Sequence, residues 1–121
     1  MQQTRLLLVE DDPDIREGLQ ALFESAGYAV DTAENGQIGL QRLRTGQLPR
    51  LILLDLLMPV MDGVEFRRQQ LADPEIAHIP VVVCSAVHLD STLARRLSVL
   101  AYFEKPVDIT ALLSAIRLLS K

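Results

Sequence analysis

The sequence predicts an α/β domain in which helices are wound on both sides of a parallel sheet, and two observations carry that prediction. Short apolar runs (Leu6-Leu7-Leu8-Val9, Ala29-Val30, Leu51-Ile52-Leu53-Leu54, Val81-Val82-Val83-Cys84 and Ala101-Tyr102-Phe103) alternate with segments long enough for helices, so a βα unit repeats five times. Three of these runs are apolar without a break, which means burial on both faces and therefore parallel strands covered by helices on each side.

The helices follow in order. The first is the best marked: Asp12 stands as N-cap, Pro13 at the first helical position, Ile15, Leu19, Leu22 and Phe23 on one stripe, and Gly27 as the stop, giving a helix from about Pro13 to Ala26. A second begins near Gly36 with Ile38, Leu40 and Leu43 inward. A third follows Asp62-Gly63 with Val64, Phe66 and Leu71 inward, and the last buries Ile109, Leu112, Leu113 and Ile116. The fourth, over 89–97, carries the weakest pattern. No Pro-rich or Ser-rich linker, repeat or low-complexity stretch divides the chain.

With 121 residues, 49% of them hydrophobic and 23% charged, the chain suits one compact soluble domain over 1–121. A net charge of -4 argues against nucleic acid, whose binders cluster Lys and Arg against phosphates. The pairs Arg67-Arg68 and Arg95-Arg96 read as solvated helix faces. A single cysteine, Cys84, within an apolar run reads as a buried thiol of a reduced, cytoplasmic protein. No run reaches membrane-spanning length, and the N-terminus does not read as a signal peptide.

The chemistry-bearing residues sit where the strands run out. Glu10 and Asp11 follow the first run, Asp55 the third, Ser85 the fourth, and Lys105 lies beside Pro106 just past the fifth. In an open parallel sheet the carboxyl ends of the strands converge on one rim, so these groups are expected to be neighbours. Carboxylates gathered in this way suit a hard cation such as Mg2+, and without one they repel each other. Asp55 is also a candidate nucleophile, because a metal and a fixed cation can neutralise an incoming phosphoryl group. Lys105 would supply that cation as a point charge. Asp12 reads as a helix cap rather than a ligand, and His78 and His88 as surface loop residues without ligand partners.

The motifs Val9-Glu10-Asp11-Asp12, Leu54-Asp55-Leu56-Leu57-Met58-Pro59 continuing to Met61-Asp62-Gly63, Cys84-Ser85-Ala86 and Tyr102-Phe103-Glu104-Lys105-Pro106 span the chain. In order and spacing the sequence resembles the response regulator receiver domain of two-component systems, of the chemotaxis-regulator-like kind. The resemblance implies a flavodoxin-like (βα)5 fold with a five-stranded sheet of order 2-1-3-4-5. It implies Mg2+ held by Glu10, Asp11, Asp55 and the main-chain carbonyl of Leu57, and phosphoryl transfer to Asp55 from a sensor histidine kinase or phosphotransfer protein. It further implies that Lys105 pairs with Asp55 and its phosphoryl group, and that Ser85 turns inward to bond that group while Tyr102 follows. The face of the fourth helix, fifth strand and fifth helix would then be read by an effector, an output domain or a second copy of the chain.

Two departures from the family pattern bear on function. The stretch from Ser85 to Lys105 is short, and Ser98-Val99-Leu100-Ala101 replaces the usual Gly-Ala step, which predicts a short or displaced fourth helix. Leu57 and Val87 stand at the positions that, in the family this chain resembles, flank the path of the water attacking an aspartyl-phosphate, and both are apolar. Neither can orient it by a hydrogen bond, so a slow loss of phosphate is expected. Two other classes share parts of the pattern. A haloacid-dehalogenase-type phosphatase needs a second Asp where this chain has Leu57, and an FMN binder needs a Ser/Thr/Gly-rich loop where it has acids. A phosphorylation-independent interaction module with the same fold is the remaining alternative.

Overall fold

The computed structural model describes residues 3–121. Ten elements alternate without exception: β1 (Arg5–Val9), α1 (Pro13–Ser25), β2 (Ala29–Ala33), α2 (Gly36–Thr45), β3 (Leu51–Leu54), α3 (Gly63–Ala72), β4 (Val81–Ser85), α4 (Ser91–Leu97), β5 (Ala101–Glu104) and α5 (Ile109–Leu119). All strand pairs are parallel, in the order β2-β1-β3-β4-β5. This is the doubly wound arrangement that the alternation predicts, and it puts the chain reversal between β1 and β3.

Strand alternation feeds two cores. Leu6, Leu8, Leu51, Leu53, Val82 and Cys84 face α1 and α5, packing on Leu19, Phe23, Leu112 and Ile116. Leu7, Val9, Ile52, Leu54, Val81 and Val83 face the other way, onto Leu40, Leu43, Phe66 and Leu97. β3 and β4 are buried at every position, whereas β2, at an edge, carries half-buried Asp31 and Thr32.

Each helix starts on an Asp or Asn side chain. Asp12 accepts from the amides of Asp14 and Ile15, Asn35 from Ile38, Asp62 from Glu65, Asp90 from Leu93 and Asp108 from Ala111. Caps of this kind typically contribute about 1 kcal/mol each. α1 stops at Ala26, followed by Gly27 at φ 101°, a conformation open to glycine at no steric cost.

The structure corrects four details. In α3 the inward face is Gly63, Phe66, Arg67 and Gln70, while Leu71 is 39% exposed. Arg67 is therefore buried and only Arg68 of that pair is a solvated residue, because the i, i+3, i+4, i+7 face passes through Arg67. Ile109 is 45% exposed; it is the first residue of α5, one turn before the buried Leu112. α4 begins at Ser91 rather than Leu89, because Asp90 caps it; with seven residues it is as short as the abbreviated sequence implies.

Candidate metal and phosphoryl-acceptor site

The carboxyl ends of β1, β3, β4 and β5 bring the expected residues to one rim. The Glu10 amide bonds the Ala33 carbonyl at 2.9 Å and the Asp55 amide bonds the Val9 carbonyl at 3.0 Å, so each acid is held by a further rung beyond its strand. Glu10 is 2% and Asp55 6% exposed, whereas Asp11 is open to solvent. One carboxylate oxygen from each of Glu10, Asp11 and Asp55 lies within 4.8 Å of the others. Lys105 Nζ stands 2.5 Å from Glu10 Oε1 and 3.3 Å from Asp55 Oδ2. Three carboxylates face one ammonium, so negative charge is left over.

Burial is the largest influence on Glu10 and raises it from 4.5 to about 7, with the charge of Asp55 adding to the rise. The bonds from Lys105 and the Asp12 amide oppose that effect without cancelling it. For Lys105, burial acts to lower the pKa, but the hydrogen bonds and charges of Glu10 and Asp55 outweigh it and the net shift is upward. The ammonium is thus firmly charged. Oxygen donors that are close, partly buried and short of compensating charge are the donor set a small hard divalent cation takes; the residues fit Mg2+.

The loop after β3 is built around this pocket. The Leu57 amide donates to Asp55 Oδ1 at 3.2 Å, fixing the peptide beside the carboxylate, while the Leu57 side chain is 57% exposed. Met61 N–H bonds the Pro59 carbonyl at 2.7 Å, closing a three-residue turn with Val60 at φ 68° in its centre. Gly63 then returns the chain so tightly that a Cβ there would lie 2.3 Å from the Asp55 carbonyl oxygen and 2.7 Å from Leu56 Cα. Gly36 meets the same loop from α2, its amide bonding the Met61 carbonyl at 3.0 Å.

Ser85 is the last residue of β4 and fully buried, and its hydroxyl accepts from the Val87 amide at 3.4 Å. The Lys105 amide bonds the Ser85 carbonyl at 2.9 Å, which joins the β4 and β5 ends. Tyr102 is half-buried on β5, and its hydroxyl is 2.9 Å from both the Val87 carbonyl and Glu104 Oε1. His88 is exposed, with Nδ1 3.5 Å from that same Glu104 oxygen. Cys84 lies one residue before the rim, and burial pushes its thiol up to about 11.

Two contributors escaped the sequence reading. Arg16 Nη1 donates to the Glu10 and Asp11 carbonyls at 2.9 and 3.2 Å, tying the acid loop to α1. An arginine one turn after a cap was the available signal, but its role needed the loop geometry. The second is buried Arg67 with Gln70, whose polar identity hid an inward register.

A five-stranded parallel sheet of this order, with an aspartate at its centre among acids and a lysine, defines a receiver-type signalling domain. Residues 6–117 match the family model described as the response regulator receiver domain. The chain belongs to that family. It is 34% identical over 114 residues to the protein PilH of Pseudomonas aeruginosa, covering 93% of each chain. It is 34% identical to the transcriptional regulatory protein CseB of Streptomyces avermitilis, but there 96% of this chain spans 48% of the relative. Against full-length transcriptional regulators of this kind the chain is therefore about half the length. Among solved structures, the response regulator TrrA of Thermotoga maritima, crystallised in complex with Mg2+ and BeF, superposes with a TM-score of 0.83 at 26% identity, covering 97% of this chain and 99% of that one. Among the described residues, no helix is long and apolar enough to cross a membrane.

Proposed function

We propose that the chain acts over residues 1–121 as one phosphorylation-activated receiver that accepts a phosphoryl group on Asp55. The observation that carries this reading is Lys105 Nζ, 3.3 Å from an Asp55 oxygen inside a three-carboxylate cluster. Glu10, Asp11, Asp55 and the Leu57 carbonyl would hold Mg2+. When bound, that ion would neutralise negative charge on the transferring group. An Asp55 carboxylate oxygen bonds to phosphorus while the phosphorus–nitrogen bond of a phosphohistidine breaks, its electron pair staying on the imidazole. The donor is a sensor histidine kinase or a phosphotransfer protein. Lys105, freed from part of its bond to Glu10, balances the added charge.

The phosphorylated carboxylate offers strong acceptor oxygens to Ser85, whose hydroxyl otherwise accepts from Val87. Movement there draws on the loop that Tyr102 bonds through the Val87 carbonyl. The α4–β5–α5 face thereby changes for an effector, an output domain or a second copy of the chain. The chain promotes its own phosphorylation and dephosphorylation but turns over no separate substrate. Neither nucleic acid nor membrane is a direct partner in this reading, and its place is the cytoplasm.

Labelling with acetyl phosphate and Mg2+, in wild type and Asp55→Asn, tests this. Stoichiometric incorporation that depends on Asp55 is the expected result. Repeated phosphate release would point to a phosphatase, and no incorporation to an interaction module that works without phosphorylation.

A further inference from the structure

Arg67 is an uncommon object: a guanidinium only 4% exposed, with no carboxylate among its hydrogen-bond partners. Nε donates to the Leu97 carbonyl at 2.8 Å and Nη2 to the Ser98 carbonyl at 3.1 Å. Nη1 donates to Gln70 Oε1 at 2.7 Å and to the Ile79 carbonyl at 3.3 Å. Gln70, fully buried, spends its own Nε2 on the carbonyls of Ile76 and Ile79, each at 2.9 Å. One cation on α3 thus ties together the carboxyl end of α4 and the turn that leads into β4.

The chemistry suits the place. The final carbonyls of a helix have no partner in the helix itself and carry its negative dipole end, so a cation there is favourable. Leu97 and Ser98 supply two such carbonyls, and Ser98, at φ 52°, is the left-handed residue that turns the chain out of α4. The converse follows from the same geometry. Were the end of α4 to move away, the buried guanidinium would lose the acceptors of its Nε and Nη2 and keep only those of Nη1, a costly loss for a charge in a protein interior. At the amino end no buried charge is at stake: the ties are the Asp90 cap, the Val87 amide on the Ser85 hydroxyl, the Tyr102 hydroxyl on the Val87 carbonyl and the apolar side chain of Leu89. Ser91 and Thr92 are exposed and Leu93 and Ala94 half-buried, so that Leu89 is the one core side chain of this end.

We infer that Arg67 pins the carboxyl end of α4 as a fixed pivot, so that phosphorylation rearranges residues 86–90 and the amino end of α4 while residues 96–98 stay in place. Arg67 is a positioning residue of the output face. The short α4 accordingly signals through its leading loop rather than by translation of the whole helix. This rests on the phosphorylation of Asp55 proposed above.

Hydrogen–deuterium exchange of the full chain tests it in wild type and Arg67→Met, each before and after acetyl phosphate with Mg2+, with incorporation read from intact mass. In wild type, exchange in 86–90 should change on phosphorylation by about fivefold or more, and at 96–98 by less than about twofold. In Arg67→Met, amides 96–98 should exchange about tenfold faster even without phosphate. Wild-type chain that takes up phosphate but changes equally in both segments overturns the pivot alone, and this arm needs no variant to fold. Unaltered protection at 96–98 in Arg67→Met also overturns it. Absence of incorporation in wild type removes the phosphorylation reading itself, and the pivot's role in signalling with it.

Discussion

Replacing Gly63 with alanine should damage both the fold and the metal site, because the two share one backbone contact. An added Cβ would sit 2.3 Å from the Asp55 carbonyl oxygen, where ordinary contact begins at 3.4 Å, so about 1.1 Å must be opened. The neighbours at 2.3 and 2.7 Å are backbone atoms of residues 55 and 56, and no rotamer change relieves them. Overpacking of this kind costs about 1–3 kcal/mol. The gain in helix propensity offsets at most about 1 kcal/mol, and less at the first residue of α3. The net loss of about 1–2 kcal/mol lowers the melting temperature of a domain this size by roughly 3–8 °C. Mg2+ demands near-ideal ligand placement, so displacing the Asp55 backbone should also weaken it by about tenfold. Thermal unfolding followed by circular dichroism across a Mg2+ series reads both quantities, because a ligand that binds only the folded state raises the transition. Gly18→Ala is the internal control: its Cβ would meet nothing within 4 Å, and in the middle of α1 it should stabilise by about 0.5–1 kcal/mol. Gly63→Ala with wild-type melting and Mg2+ response would refute the reasoning.

The remaining expectations rest on other parts of the rim. Val60 is 77% exposed and holds φ 68°, so Val60→Gly removes backbone strain of about 1–2 kcal/mol against a smaller entropy cost. A raised urea midpoint is expected; an equal or lower one counts against strain at that turn. Glu10 titrates at about 7 in the folded chain against 4.5 ordinarily, so without divalent cations its contribution favours folding fully below pH 4.5 and is lost as pH rises through 7. Urea midpoints at successive pH values should show that decline in wild type and a flatter course in Glu10→Gln; identical courses would contradict it. With Leu57 and Val87 unable to orient water, an aspartyl-phosphate at Asp55 should persist. Leu57→Asn or Val87→Glu, each adding about one hydrogen bond's worth of guidance, should speed its decay by about fivefold. Unchanged or slower decay in both variants would remove the idea.

The residues differ in how plainly they announced themselves. β1, β3 and β4 were legible because unbroken apolar runs have one common use, and Asp12-Pro13 marked α1 because a cap and a fixed φ leave little choice. The acids and Lys105 were legible as a group because parallel strands must end on one rim. β2 was harder: Asp31 and Thr32 interrupt its pattern at an edge position, so only Ala29 and Val30 stood out of a strand that reaches Ala33. The α3 face was misread because the register runs through Arg67 and Gln70, and hydropathy cannot see carbonyls that arrive from Leu97, Ser98 and Ile79. Leu71 took the place of Gln70 for the same reason. The hold of Arg16 on the acid loop was hidden because its partners are main-chain oxygens, which no side-chain motif records.

The bond between Lys105 and Glu10 joins positions 95 residues apart, and the one to Asp55 spans 50. The three acids follow the first and third strands, whereas the ammonium is delivered only when β5 docks beside β4. A chain cut before Lys105 would therefore carry the crowded carboxylates without their fixed counter-charge.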